Sequence, residues 1–202
     1  MNFIQFKTLF KDFPVFSVSD IRSTDPAFDR RRLTEWKYRG YIQKVAKGLY
    51  MFSDVNITEN ILFRVANILY SPSYISLETA LAFYQLIPEI TYGITSVSTR
   101  RTYNYNTPLT HFTYRTLSRS LFFGYTIQQN TVRFSSMEKA ILDFLYLNPE
   151  LNKPDMFESI RINREAFLDQ LDEALFNKYL QRFKSNALRV RTSRFLEWMS
   201  YA

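Results

Sequence analysis

The stretch from Phe16 to Phe52 constrains the fold more than any other part of the chain. It opens with Ser17-Val18-Ser19-Asp20-Ile21-Arg22, where Ser17 and Asp20 stand three residues apart. That is the spacing at which a hydroxyl and an acid side chain satisfy orphan amides at a helix start. Ser23-Thr24-Asp25-Pro26 has the chemistry of a turn. A second helix is predicted over Asp29-Arg30-Arg31-Arg32-Leu33-Thr34-Glu35-Trp36-Lys37-Tyr38-Arg39-Gly40, with Asp29 as N-cap, Phe28 and Leu33 as a hydrophobic staple, and Gly40 as the left-handed residue after the last turn. Tyr41–Val45 and Leu49–Phe52 then read as two strands across a turn centred on Lys47-Gly48. Two helices joined by a turn and followed by a glycine-turned hairpin predict a winged helix-turn-helix over residues 1–54. Such a unit delivers one helix into a DNA major groove and flanks it with the hairpin.

Upstream, Phe3, Phe6, Leu9 and Phe10 recur at helical spacing, and Asp12-Phe13-Pro14 ends that helix. On the second predicted helix, Leu33 and Trp36 point toward a core, while Arg31, Thr34, Glu35 and Tyr38 point away, with Arg32 and Arg39 to one side. Arginine can pair bidentately with guanine, and the remaining polar side chains can reach phosphates. Arg30, Arg31 and Arg32 crowd the positive end of the helix, an arrangement that favours an anionic partner. Lys44 and Lys47 lie near the hairpin tip, where a wing touches the DNA backbone. Residues 1–54 carry ten Lys+Arg against six Asp+Glu, the remainder sixteen against thirteen, within a formal net charge of +7. The DNA-contacting set is therefore expected to be Arg30, Arg31, Arg32, Thr34, Tyr38, Lys44 and Lys47.

Residues 55–202 read as an α+β unit rather than an alternating one. Thr58-Glu59-Asn60 opens a helix that Ser71-Pro72 stops, Tyr74-Ile75 is a short buried strand, and Ser76 caps the helix that follows. From Tyr92 to Arg133 the pattern turns to β, with strands at Ile94–Thr99, His111–Arg115 and Phe122–Ile127 forming a small antiparallel sheet. Ser135 and Glu138 have capping-box spacing for the helix Met137–Tyr146, and the rest is a helical tail broken at Pro149 and Pro154.

Several chemistries lack material. There is no cysteine and His111 is the single histidine, so neither a zinc site nor a Ser-His-Asp triad is expected; four glycines build no phosphate-cradling loop. A metal-dependent nuclease would need Glu78, Glu138 and Asp143 to converge, but Glu138 reads as a cap and Lys139–Asp143 as an i,i+4 pair. No catalysis, metal or cofactor is expected. Arg100-Arg101, with Arg189, Arg191 and Arg194 in the stretch from Ala174 to Leu196 that holds no acid, form a candidate second basic surface. The absence of a leader pattern, of cysteines and of a long apolar run predicts a cytoplasmic protein without membrane contact.

Four blocks occur in a particular order: Gly40-Tyr41-Ile42 with Lys47-Gly48-Leu49-Tyr50, Ser73-Tyr74-Ile75-Ser76-Leu77-Glu78-Thr79-Ala80-Leu81, Thr95-Ser96-Val97-Ser98, and Met137-Glu138-Lys139-Ala140-Ile141-Leu142-Asp143. In this the chain resembles the AbiEi family of abortive-infection antitoxins, over roughly residues 15–147. It departs in a longer turn before the arginine-rich helix, and in Met137 where the family often has proline. The resemblance implies an amino-terminal winged helix that represses its own promoter at inverted repeats. It also implies a carboxy-terminal domain that counteracts a cognate nucleotidyltransferase toxin without a stable complex. A second expectation is a non-catalytic RNA- or protein-interaction module that neutralises such an enzyme.

Overall fold

A computed structural model describes residues 1–88, 93–128 and 131–201. The amino-terminal portion runs α1 (Phe3–Phe10), β1 (Phe16–Ser17), α2 (Val18–Thr24), α3 (Arg31–Tyr38), β2 (Ile42–Ala46) and β3 (Leu49–Phe52). Its three strands form an antiparallel sheet in the order β1-β3-β2. Phe6, Phe10, Phe16, Ile21, Phe28, Leu33, Trp36, Ile42 and Phe52 close one buried cluster beneath the helices. Phe6 is its centre, with its ring 4.7 Å from Trp36, 4.9 Å from Phe16 and 5.2 Å from Phe52.

The cap signals explain where these helices start and stop. Ser17 Oγ accepts the Asp20 amide while the Asp20 carboxylate accepts the Ser17 amide, the predicted reciprocal cap. α2 then continues through Ser23 and Thr24, two residues expected in the loop. Asp29 sits one residue further out than predicted: Arg30 occupies the cap position without a side-chain bond, and the Asp29 carboxylate accepts the Arg31 amide at 2.9 Å. At the other end, Gly40 has φ +73°, its amide donates to Lys37 O at 3.0 Å, and the Tyr41 amide donates to Trp36 O at 2.9 Å. This is a Schellman closure, and it turns the chain directly into β2.

The second portion comprises α4 (Glu59–Leu69), β4 (Ser73–Ile75), α5 (Leu77–Phe83), β5 (Ile94–Ser98), β6 (Tyr103–Asn106), β7 (His111–Thr116), a 3-10 turn at Arg119–Leu121, β8 (Tyr125–Gln128), β9 (Val132–Ser135), α6 (Met137–Leu147), α7 (Pro154–Ser159), α8 (Arg164–Gln170), α9 (Glu173–Phe183) and α10 (Asn186–Tyr201). The strands form one six-stranded sheet in the order β6-β7-β5-β4-β9-β8. This corrects the expected small antiparallel sheet, because β5 pairs with β7, and β4 with β9, in parallel. Parallel partners need a crossover rather than a tight turn. Here β6 lies in the crossover from β5 to β7 and pairs outside β7 as the edge strand, while β7 and β8, consecutive in the chain, lie near opposite edges of the sheet. The predicted β start at Tyr92 lies outside the described residues.

β4 is central and buried on both faces. Tyr74 points to α6, whereas Phe134, the register partner of Ile75, packs 5.2 Å from Phe63 of α4. The sheet therefore lies between α4 on one side and α6, with α5, α9 and α10 against it, on the other. In the tail, Leu188, Phe195 and Met199 form the buried stripe of α10. Val15, Val45 and Met51 of the amino-terminal portion join this second, larger apolar cluster, and Arg64 Nη2 donates to Asp12 O at 2.8 Å.

α6 starts at Met137 as predicted, but its cap is one residue later than expected. Ser135 is held in β9 opposite Tyr125, so Ser136 is the cap and its Oγ accepts the Lys139 amide at 3.3 Å. Glu138, freed from capping its own helix, accepts the Asp172 amide at 3.2 Å and so ties down the approach to α9.

Candidate nucleic-acid interface

α3 is built to hide one side and offer the other. Leu33 and Trp36 are 1% and 4% exposed, while Arg30, Arg31, Arg32, Thr34 and Tyr38 are exposed, Tyr38 at 93%. Phe28 supports the helix from below, 5.7 Å from the Trp36 ring. A large aromatic ring left almost wholly in solvent is unusual for a residue that could have packed. The hairpin of β2 and β3 packs beside α3, with a register shift between Lys44 and Ala46, and Lys44 and Lys47 are exposed on it.

The cations divide by their partners. Arg39 pairs with Glu35 at 2.8 Å, and Arg32 Nη1 donates to Met1 O at 2.8 Å. Lys7 pairs with Asp54. Among the described residues, the side chains of Arg30, Arg31, Lys44 and Lys47 make no hydrogen bond or ion pair. Arg30 and Arg31 stand at the positive end of α3, whose first turn holds no acid. The Asp29 carboxylate already occupies the Arg31 amide at this end, but neither arginine side chain has a partner, so an anion placed there gains from both.

The second basic set is less uniform than the sequence suggests. Arg191 is partly buried and its Nη1 donates to Leu145 O at 2.8 Å, in the last turn of α6, while Arg194 Nη1 donates to Asn152 O at 3.4 Å. Arg191 thus braces a carbonyl in the last turn of α6, where cations are favourable, while Arg194 holds the loop before α7. Arg189 is exposed. Arg100 lies 4.1 Å over the Tyr70 ring and donates to Ser71 O at 3.2 Å; Arg101 is exposed, and its carbonyl accepts the Tyr70 hydroxyl at 2.8 Å. His111 is exposed on β7.

The structure also contains a polar cluster that the spacing of Lys139 and Asp143 only hinted at. Both side chains are fully buried and ion-paired. The Lys139 ammonium also donates to the Tyr74 hydroxyl at 2.9 Å; that hydroxyl donates to Asp143 Oδ2 at 2.8 Å, as does the Ser76 hydroxyl at 3.0 Å. Phe123 and Phe183 place their rings 4.9 Å from the ammonium. Burial pulls Lys139 below the usual lysine value and pushes Asp143 above the usual carboxylate value, each partner opposing the shift of the other. Burial likewise raises Tyr74 well above the ordinary phenol range.

Because Ser76 is turned inward to Asp143, it does not cap α5 as predicted. Thr95 of β5 does so from across the sheet: its Oγ1 accepts the Thr79 amide at 3.0 Å and donates to Ser76 O at 2.9 Å. One readable signal did exist. Lys139 and Asp143 sit in Met137–Leu147, a helix apolar on nearly every side, where a charge cannot reach water. The cluster is sealed, which suits a structural role. Among the described residues no three acidic, histidine or cysteine side chains gather to hold a metal, so the convergence of Glu78, Glu138 and Asp143 required for a nuclease is not formed. No helix among them is long and apolar enough to cross a membrane. Neither the known protein-family models nor the curated proteins include a match to this chain.

Proposed function

We propose that this protein is a DNA-binding transcriptional repressor and antitoxin of the AbiEi kind, whose first 54 or so residues work as a winged helix-turn-helix. The element order supports the reading: helix, short strand, two helices and a hairpin, with the first strand pairing onto the last. The observation that carries it is the set of exposed cations Arg30, Arg31, Lys44 and Lys47 on α3 and on the hairpin beside it, none with a side-chain partner, with Tyr38 exposed on the same helix. In this mechanism α3 enters the major groove of inverted repeats in the protein's own promoter. Arg31, Thr34 and Tyr38 meet base edges, and Lys44 and Lys47 hold phosphates. The remainder of the chain counteracts a cognate nucleotidyltransferase in the cytoplasm without forming a stable complex, and performs no catalysis itself.

The division of roles has a direct test. Arg31→Ala is expected to weaken binding to the specific site by about 1–3 kcal/mol and to relax its sequence preference. Lys47→Ala is expected to weaken specific and random duplexes alike and to reduce the salt slope by about 1. Equal losses on both duplexes for both variants would contradict the assignment of base reading to α3.

A further inference from the structure

From Ile90 to Met137 the sequence contains no aspartate or glutamate, yet it contains five arginines: Arg100, Arg101, Arg115, Arg119 and Arg133. This one segment, which supplies five of the six strands of the large sheet, carries +5 of the net +7. The charge is not spread evenly in the fold. Arg115 is occupied at the end of α6, where Nη2 donates to Leu147 O at 2.7 Å. Arg100, Arg101 and Arg119 gather where β5 and β7 end and β6 begins. The parallel register Ser98↔Thr116, and a Leu117 amide donating to Ser98 O at 2.8 Å, bring the two following loops together there.

The same corner exposes aromatic rings. Tyr103 and Tyr105 alternate on edge strand β6 and share one face with Tyr114. Tyr103 is 51% exposed, with its ring stacked 5.9 Å from Tyr70 at 16° between the planes and 4.6 Å from Tyr105. Arg100 covers Tyr70. The opposite face of β6 presents the exposed amides of Asn104 and Asn106, and no strand pairs on the outer edge of β6 among the described residues. Tyrosines in a core do not need this much water, and arginines at a solvated corner do not need an acid-free neighbourhood. Together they form a ring platform with cations beside it, at an open strand edge whose other face carries the two amides. Unpaired bases stack on such rings, backbone phosphates follow such cations, and a 2′-hydroxyl both donates to and accepts from an amide.

We infer that the β6 edge, with Tyr103, Arg100, Arg101, Arg119, Asn104 and Asn106, binds a short stretch of single-stranded RNA. This site is separate from α3 in sequence and does not depend on it. The test is fluorescence anisotropy of the full chain with a labelled ten-residue oligouridylate and with the matching oligodeoxyuridylate, at several salt concentrations. Tyr103→Leu keeps apolar cover over Tyr70 but removes the aromatic face, and is expected to weaken RNA binding about tenfold, within the range that stacking on one aromatic supplies. Tyr103→Phe is expected to retain it. Arg101→Ala is expected to flatten the log–log salt slope by about 0.7, the contribution of one phosphate on a single strand. Arg31→Ala is expected to leave RNA binding unchanged. Circular dichroism of each variant checks its folding. The assignment is overturned if the protein does not bind the oligouridylate, or if folded Tyr103→Leu and Arg101→Ala bind as the unaltered protein does. A loss of RNA binding in Arg31→Ala alone, or equal affinity for the DNA oligomer, also overturns it.

Discussion

Asp143→Asn is expected to lower the stability of the protein by about 3–5 kcal/mol, a fall of roughly 6–20 °C in melting temperature for a chain of this length. The change is almost isosteric, and the asparagine oxygen can still accept from Tyr74 and Ser76. What disappears is the countercharge of a lysine that has no access to water. The ammonium must then stay charged and unpaired in the core, or lose its proton.

The two states predict a pH signature. Burial already depresses Lys139 below its ordinary value of 10.5, and the Asp143 charge is the main influence holding it up. Without that charge the folded-state value drops further, while the unfolded chain keeps its ordinary one. Above the folded value the unfolded chain then binds the extra proton, so stability rises with pH until 10.5 is passed. The penalty is full below the folded value and fades as pH rises toward 10.5. Denaturant unfolding at pH 7, 8 and 9 is therefore expected to show the gap to the unaltered protein closing by up to about 1.4 kcal/mol per pH unit. The double change Lys139→Met with Asp143→Leu, which removes both charges, is expected to recover most of the loss. An Asp143→Asn protein as stable as the original would mean that the pair does not hold the core together.

The second large effect concerns binding without stability. Replacing Arg30, Arg31, Lys44 and Lys47 together by alanine is expected to flatten the salt dependence of duplex binding by about 3.6, that is about 0.9 for each lost phosphate contact. At physiological salt such a protein should no longer retain DNA. Its melting temperature should hold or rise slightly, because two of the removed cations repel the positive end of α3 and none has an intramolecular partner. Titration of one duplex at 50, 100 and 200 mM salt, alongside thermal melting, separates the two outcomes. A variant that melts early and binds poorly would instead mean that these side chains support the fold.

The contrast between these sites follows how each is written in the sequence. The Ser17–Asp20 cap, the Thr58 cap and the closure at Gly40 are local agreements between neighbours, and the structure keeps them. The outward face of α3 was equally legible, since Leu33 and Trp36 alone fix which side is buried. Long-range pairing was not. Ser73–Ile75 is three residues long, yet it occupies the middle of a six-stranded sheet through a parallel partner some sixty residues away that no turn announces. That placement turns Tyr74 and Ser76 toward Asp143, draws the cap of α5 from Thr95, and moves the cap of α6 from Ser135 to Ser136. An i,i+4 pair reads the same whether water or rings surround it, so the spacing of Lys139 and Asp143 does not show their burial; only the apolar residues on nearly every side of their helix point to it. β6 was missed for another reason. Its Tyr-Asn-Tyr-Asn alternation belongs to an edge strand with an open side, where asparagine is tolerated although it is uncommon in strands generally.

The claim that α3 and its hairpin read DNA is tested most directly by fluorescence anisotropy of the full protein. The probes are a duplex from immediately upstream of its own coding sequence and a scrambled duplex of equal length, each followed across salt concentration. Preferential binding to the upstream duplex, with a steep fall in affinity as salt rises, is the predicted result. Weak and equal binding to both duplexes would contradict it.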